Sequence, residues 1–379
     1  MLSKQFIVTT LLVTIGMCSA TCKNKALQKT DDPQLQGIKL PEGFSISIFA
    51  RDVDNARSLA LGANGTVFVG NRSGDKVFAL VDEDNDGTAD KRYTIVSGMA
   101  SPNGVAFHNG SLYIAEISKV WRLDNIESQL ANPPKPVLVS NNFPDEKHHG
   151  WKYIAFGPDG KLYVPVGAPC NICDDQERDP RFSSITRMNP DGSGFEVFAS
   201  GIRNTVGFHW HPETKELWFT DNGRDNMGDN LPPDELNKAP QAGMHFGYPY
   251  CHGGNLKDPE YGNRRACSEF TAPVINLDAH VAALGMKFYK GDMFPSIYKN
   301  QIFIAEHGSW NRSDPIGYRV MLVRQDKDGY KYEPFATGWL KDGKAWGRPV
   351  DILELPDGSL LVSDDYANAV YRITYTGER

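Results

Sequence analysis

A short polar turn followed by an alternating apolar strand recurs six times, and nothing else in the chain constrains its fold so strongly. The copies are NGTVFVGN (64–71), NGSLYIAE (109–116), DGKLYVPV (159–166), TKELWFTD (214–221), KNQIFIAE (299–306) and DGSLLVSD (357–364). Alternation over such lengths, bounded by Gly, Asn and Asp, marks a strand leaving a hairpin. Most copies follow another apolar strand (SLAL, NGVAF, KYIAF, TVGFHW, LGMKFY, PVDILEL), and several precede a third (KVFALVD, KVWRLD, AVYRITY). Helical periodicity is close to absent. Six such units at spacings of roughly 45 to 85 residues predict an all-β, six-bladed β-propeller. The ring is expected to close by pairing an early strand, FSISIFA (44–50), with the last blade near Tyr375. Two β-sandwich domains are the alternative use of the same strands. The widest gap, between the fourth and fifth units, holds an acidic loop and a cysteine-bearing excursion, so loops on one face are lengthened for function.

The chain has 379 residues, a net charge of -7 and no basic stripe, which argues against nucleic acid as a partner. Residues 1–22 read as an export signal: Lys4, an apolar run over 6–17, then the small residues Ser19 and Ala20. Cleavage after Ala20 would give a soluble exported protein, whereas a lipid on Cys22 would anchor it; the reading leans to the periplasmic, membrane-anchored lipoprotein. Residues 23–38 are polar and without periodicity, as in a tether, which leaves 39–379 as the propeller domain. Beyond Cys18 and Cys22 there are four cysteines, and an even number in an exported chain suggests two disulfides. Cys170 and Cys173 suit a small loop closure, and Cys251 with Cys267 would clip the long excursion. A four-cysteine zinc site is the disfavoured alternative. Asp174 after Cys173 removes a haem-attachment reading.

Functional chemistry concentrates in residues 201–237, GIRNTVGFHWHPETKELWFTDNGRDNMGDNLPPDELN. A fixed cation and an amide, Arg203 and Asn204, stand one hairpin away from carboxylates and free carbonyls. That arrangement suits an anionic ligand and a hard cation side by side. A separate acidic run, Asp82, Asp84, Asp86, Gly87 and Asp90, has the spacing of the first half of a calcium loop, with Tyr93 where a bidentate glutamate would stand. It reads as a structural calcium site, its rival being a solvated turn.

Taken together, HHGWKYIAFGPDGKLYVPVGAPCNIC (148–173), GIRNTVGFHWHP (201–212), DELN (234–237), GMHFGYPYC (243–251) and FIAEHGSWNRS (303–313) resemble the glucose/sorbosone dehydrogenase family, and the sorbosone-type branch most. The resemblance spans about residues 40–376 and implies a propeller that binds pyrroloquinoline quinone (PQQ) and Ca2+. His149 matches the family's base, and an imidazole suits removal of a hydroxyl proton; neighbouring His148 is the ordinary loop histidine. Arg203 and Asn204 carry the Gly-x-Arg-Asn motif, and a guanidinium suits the carboxylates of PQQ and charge on its reduced form. Lys152 faces either those carboxylates or solvent. Asn222, Gly223 and Arg224 resemble the segment whose carbonyls hold calcium, with Arg224 replacing a proline of the glucose-type branch and Asp225 and Asp229 near enough to offset its charge. Asp234 and Glu235 resemble a second, structural calcium site. Arg348 resembles the first of two cofactor-binding arginines, the second falling at Val350, and Arg312 is the candidate to replace it. Trp310 either stacks on the flat cofactor or fills an inter-blade core.

The implied function is a PQQ- and calcium-dependent oxidoreductase acting on a sugar or related hydroxy-aldehyde. It passes electrons to a separate acceptor, since no haem motif is attached. A calcium-dependent lactonase and a non-enzymatic binding propeller are the rival readings of the same fold.

Overall fold

The computed structural model describes residues 32–377. The export signal, Cys22 with its proposed lipid, and the first part of the tether lie outside the described residues. Six sheets form the blades of a propeller, antiparallel except for a short parallel pair (Ala199–Ser200 with Met244–His245) at the outer edge of blade 3, and in chain order from the axis outwards except in blade 6. Each of the six repeats is the second strand of a blade: Val67–Asn71, Ser111–Ala115, Leu162–Val166, Leu217–Asp221, Ile302–Glu306 and Leu360–Asp364. The strand before each repeat is the inner one, as in Ala56–Leu61 of blade 1 and Pro349–Glu354 of blade 6.

Alternation is the physical basis of this stacking. Successive side chains of a strand point to opposite faces, so a blade with both faces covered must be apolar on both. In blade 1, Val67 and Val69 pack towards blade 6 while Phe68 packs towards blade 2. One buried apolar cluster occupies each of the six seams. Near the axis the blades approach backbone to backbone. A Cβ at Gly104 would lie 2.5 Å from the Lys152 carbonyl oxygen, and one at Gly207 would lie 2.1 Å from that of Leu284. Side chains at those two inner-strand positions would force the ring open.

The ring closes as expected. Phe44–Ala50 supplies the outer strand of blade 6 and pairs antiparallel with Ala369–Tyr375, with Phe44 opposite Tyr375 and Ile46 opposite Ile373. This joins the two ends of the propeller through a backbone ladder and leaves blade 6 with no missing strand. The end of the stretch read as a tether belongs to the fold: Leu35–Gly37 form a 3-10 turn, Leu35 is buried among blades 5 and 6, and Lys39 bridges Thr337. Leu35, Ile38 and the Lys39 bridge together dock it.

Asp234–Glu235, read as the end of an acidic loop, instead lead into the third strand of blade 4, Glu235–Ala239. Both cysteine pairs are disulfides, Cys170–Cys173 and Cys251–Cys267.

The seam between blades 6 and 1 is where closure is tested. Phe49 lies there, 2% exposed. Phe49→Ala is expected to lower unfolding stability by about 3–5 kcal/mol, the usual cost of a buried Phe→Ala change, in a denaturant titration; a loss below about 1 kcal/mol would show the closing strand to be dispensable.

Candidate active site

Strands that share one direction in every blade deliver their following loops to one end of the axis. There the loops after the second strands (Arg72, Asn222–Gly223, His307–Gly308) meet those entering the inner strands (His149–Trp151, Arg203–Asn204, His280–Ala282, Arg348) around a cavity of about 280 Å³. That volume lies just below the roughly 300–1,000 Å³ typical of ligand pockets.

His149 is buried in the wall, whereas His148 is exposed. Its backbone is left-handed, with φ of 51°. A non-glycine residue rarely adopts that conformation without a surrounding structure to hold it. Space for it comes from Gly167, where a Cβ would lie 2.5 Å from the His149 Cβ. Nδ1–H donates to the Ala168 carbonyl at 2.9 Å, which leaves Nε2 unprotonated and able to accept a proton. Burial, then the charge of Arg203, holds the ring well below the ordinary imidazole pKa, so it is neutral at pH 7.

Arg203 is held on several sides. Nε donates to the Asn171 carbonyl at 2.9 Å, Nη2 to Asn171 Oδ1 at 2.9 Å and to Asp225 Oδ2 at 3.2 Å, and Nη1 to the Asn222 carbonyl at 3.2 Å. The backbone amides of Arg203 and Asn204 both donate to Asp221, at 2.9 and 2.6 Å. Burial and neighbouring Glu235 push the Asp221 carboxyl up to about 8. Arg348 donates to the carbonyls of His307 and Gly308 at 2.9 and 2.8 Å. Trp310 is 74% exposed at the rim, so the inter-blade reading of that residue falls.

Several expected residues are elsewhere. Lys152 does not reach the cavity: its ammonium is buried, donates to the Gly150 carbonyl at 2.9 Å and lies 5.6 Å from the Phe143 ring. Burial lowers its pKa to about 7. Arg312 is used on the 229–230 loop, donating to the carbonyls of Asp229 and Ala279. The Arg224 side chain turns away and pairs with Asp258 at 2.7 Å and Glu260 at 3.0 Å, anchoring the long excursion. That resolves its awkward charge beside a cation site, and Asp225 is freed to pair with Arg203. Asp234 and Glu235 part company because neighbours in a strand face opposite ways. Asp234 lines the cavity and accepts from the amides of Gly223 (2.9 Å) and Ala283 (3.1 Å). Glu235 lines a smaller void with Asp221 and Tyr248. Asp82, Asp84 and Asp86 do converge, with carboxylate oxygens within 4.8 Å of one another. Asp90 instead caps the Glu83 amide, and this hairpin between the third and fourth strands turns at the end away from the cavity.

Other wall residues went unread in the sequence. Arg57 pairs with Asp365 at 3.0 Å, and Asp365 also receives His307 Nε2–H at 2.7 Å. The Arg72 guanidinium lies 3.8 Å above the Trp151 ring, and burial followed by repulsion from Arg57 lowers its pKa to about 10. Asn311 donates to Asp225 at 2.7 Å. Arg57 and Arg72, both in blade 1, carry no local motif, so only the fold brings them to Arg203 and Arg348.

Two wall residues carry buried polar atoms without a partner, Trp151 Nε1 and Asn311 Oδ1. Four arginines face the cavity with two carboxylates, Asp225 and Asp234. Among the described residues, Arg72 and Arg348 form no ion pair with a carboxylate. The donor set therefore fits a planar polyanion. The Asn222–Gly223 turn and Asp234 offer the oxygen donors that calcium prefers. At Gly223 a Cβ would lie 2.8 Å from the Pro233 carbonyl oxygen, so this turn admits no side chain.

The neutrality of His149 is directly measurable. In 15N NMR the ring is expected to keep the Nδ1–H tautomer as pH falls through 6.5, the ordinary value from which it is displaced. Because the unfolded chain takes up the proton first, acidification through that window lowers stability. An imidazolium signal appearing with a midpoint near 6.5 would show the ring to be solvated.

Comparison with known proteins agrees with this architecture. A family model described as Glucose / Sorbosone dehydrogenase matches residues 115–311. An uncharacterized protein of Borreliella burgdorferi is 34% identical over 357 residues, covering 89% of this chain and 91% of that protein. A pyrroloquinoline quinone-dependent pyranose dehydrogenase of Coprinopsis cinerea is 22% identical over 89% of this chain, which spans 54% of that protein. Among solved structures, the holo PQQ domain of the Coprinopsis cinerea pyranose dehydrogenase has a TM-score of 0.76 at 18% identity, covering 89% of this chain and 97% of that one. The apo soluble aldose sugar dehydrogenase of Escherichia coli has a TM-score of 0.67 at 18% identity, covering 88% and 100%. At such identities these structures speak for the shared fold. With the family model and the Borreliella relative, the comparisons establish that this chain belongs to the glucose/sorbosone dehydrogenase family.

Proposed function

We propose that the protein is a PQQ- and calcium-dependent oxidoreductase acting on a sugar or related hydroxy-aldehyde. The observation that carries this reading is the meeting, in one cavity, of a neutral imidazole with a free Nε2 and of arginines in excess of carboxylates. The relatives named for PQQ and sugars support it.

In this reading Arg72, Arg348 and Arg203 would hold the acidic quinone, and the carbonyl oxygens of Asn222 and Gly223 with Asp234 would hold the calcium. The bound pair supplies the hydride acceptor and the Lewis acid that polarises it. His149 Nε2 takes the proton of the substrate hydroxyl, or of an aldehyde hydrate. The Ala168 carbonyl keeps Nδ1–H in place and stabilises the imidazolium that forms. The guanidinium of Arg203 balances negative charge that develops nearby. Trp310 offers an exposed apolar face for a sugar ring at the rim.

The proposal keeps a separate electron acceptor, an exported location consistent with two disulfides, and a structural calcium on Asp82, Asp84 and Asp86. The lactonase reading is weaker, because Asp225 is already engaged by Arg203 and Asn311, and four arginines have no evident part in ester hydrolysis.

His149→Ala is expected to reduce dye-linked sugar oxidation by about 10²–10⁴-fold, the usual contribution of a general base, with quinone affinity largely unchanged. Oxidation at the wild-type rate would remove His149 as the base; lactone hydrolysis with metal alone would favour the rival.

A further inference from the structure

The wall behind Arg203 is a four-residue ring, Cys170-Asn171-Ile172-Cys173, closed by its disulfide. Asn171 makes five hydrogen bonds out of this ring, one of them its carbonyl accepting from the Tyr248 hydroxyl at 3.4 Å. Its carbonyl accepts from Arg203 Nε at 2.9 Å, and its Oδ1 accepts both from Arg203 Nη2 at 2.9 Å and from the Asp225 amide at 2.8 Å. Its Nδ2 donates to the Asp225 carbonyl at 3.2 Å. The residue thus grips both members of the Arg203–Asp225 pair. Only a side-chain amide of this length offers a donor and an acceptor to the same neighbour; aspartate lacks the donor.

The second disulfide stands behind the first. Tyr248 and Tyr250 lie just before Cys251, at the entrance to the excursion clipped by Cys251–Cys267. The Tyr248 hydroxyl accepts from the Cys173 amide at 3.1 Å, and that of Tyr250 donates to Asp174 at 2.8 Å. Arg264 adds a bond to Asp174 at 3.1 Å. An arginine has several rotatable bonds, and fixing it before a ligand arrives removes an entropic cost from binding.

We propose that Asn171, held by the Cys170–Cys173 ring, is the positioning residue that fixes Arg203 in the cavity, so that opening this disulfide weakens capture of an acidic ligand. The ligand side of this inference rests on the functional reading above; the positioning of Arg203 does not. Opening requires a dithiol reductant. Two electrons and two protons pass to Cys170 and Cys173, and the reductant becomes its own disulfide.

Two measurements test it. The first is the exchange of the Arg203 Nη2–H protons in 15N NMR, which is expected to be slow in the wild type and faster in Asn171→Ala, where the accepting Oδ1 is lost, and after dithiol reduction. Protection retained in Asn171→Ala overturns the proposal without reference to any ligand. The second is a titration with PQQ in calcium. Asn171→Ala is expected to bind about 10-fold more weakly, the scale of a lost hydrogen bond to a charged group. Because Asn171 acts through Arg203, the double variant with Arg203→Ala is expected to bind no more weakly than Arg203→Ala alone. Independent, multiplying losses would overturn the proposal. Wild-type protein that binds no quinone would instead overturn the functional reading and leave the NMR result to decide this one.

Discussion

Four guanidinium groups share one cavity, and their mutual repulsion is the constraint around which this end of the molecule is arranged. In a partly desolvated wall like charges repel strongly; the pKa of Arg72 is lowered first by burial and then by the charge of Arg57. Two of the four are compensated by carboxylates, Arg57 by Asp365 and Arg203 by Asp225. Arg348 rests on carbonyl dipoles and Arg72 on an indole face, neither of which cancels its charge. What remains is a positive, preorganised concavity suited to a polyanion.

The propeller makes that arrangement possible. Arg57 and Arg72 come from blade 1, Arg203 from the entrance to blade 4, and Arg348 from the entrance to blade 6. They converge only because the ring is closed, by the backbone ladder between Phe44–Ala50 and Ala369–Tyr375. The other wall is reinforced covalently. Two disulfides brace the segments that hold Arg203, and Arg224 pins the long excursion through Asp258 and Glu260. Lengthened loops on one face thus serve to hold a cation still, on a scaffold whose seams are ordinary apolar packing.

The fold was legible because six polar turns each lead into a short strand of apolar residues, and burial on both faces is what keeps those strands apolar. The closing strand was legible for the same reason. Within the site, Arg203, Asn204, His149 and the Asn222–Gly223 turn sit in local motifs, and the structure places them together. Arg312 and Lys152 lie away from the cavity because a charge in the right segment says nothing about the direction of its side chain. A neighbouring carbonyl claimed each one. Asp234 and Glu235 were read as a pair, but a strand sends consecutive residues to opposite sides. Arg57, Arg72 and His307 could not be read at all, since their partners are supplied by other loops and, for Arg57 and His307, by Asp365 far along the chain.

The central claim is that this cavity holds an acidic quinone beside a divalent ion, with the imidazole of His149 facing the substrate. A crystal structure of the protein soaked with PQQ and calcium tests it most directly. The account predicts ring density in the cavity, with carboxylates on Arg72 and Arg348 and a calcium ion on the Asn222–Gly223 turn. A cavity holding only solvent, or quinone bound at the opposite end of the axis, would contradict it.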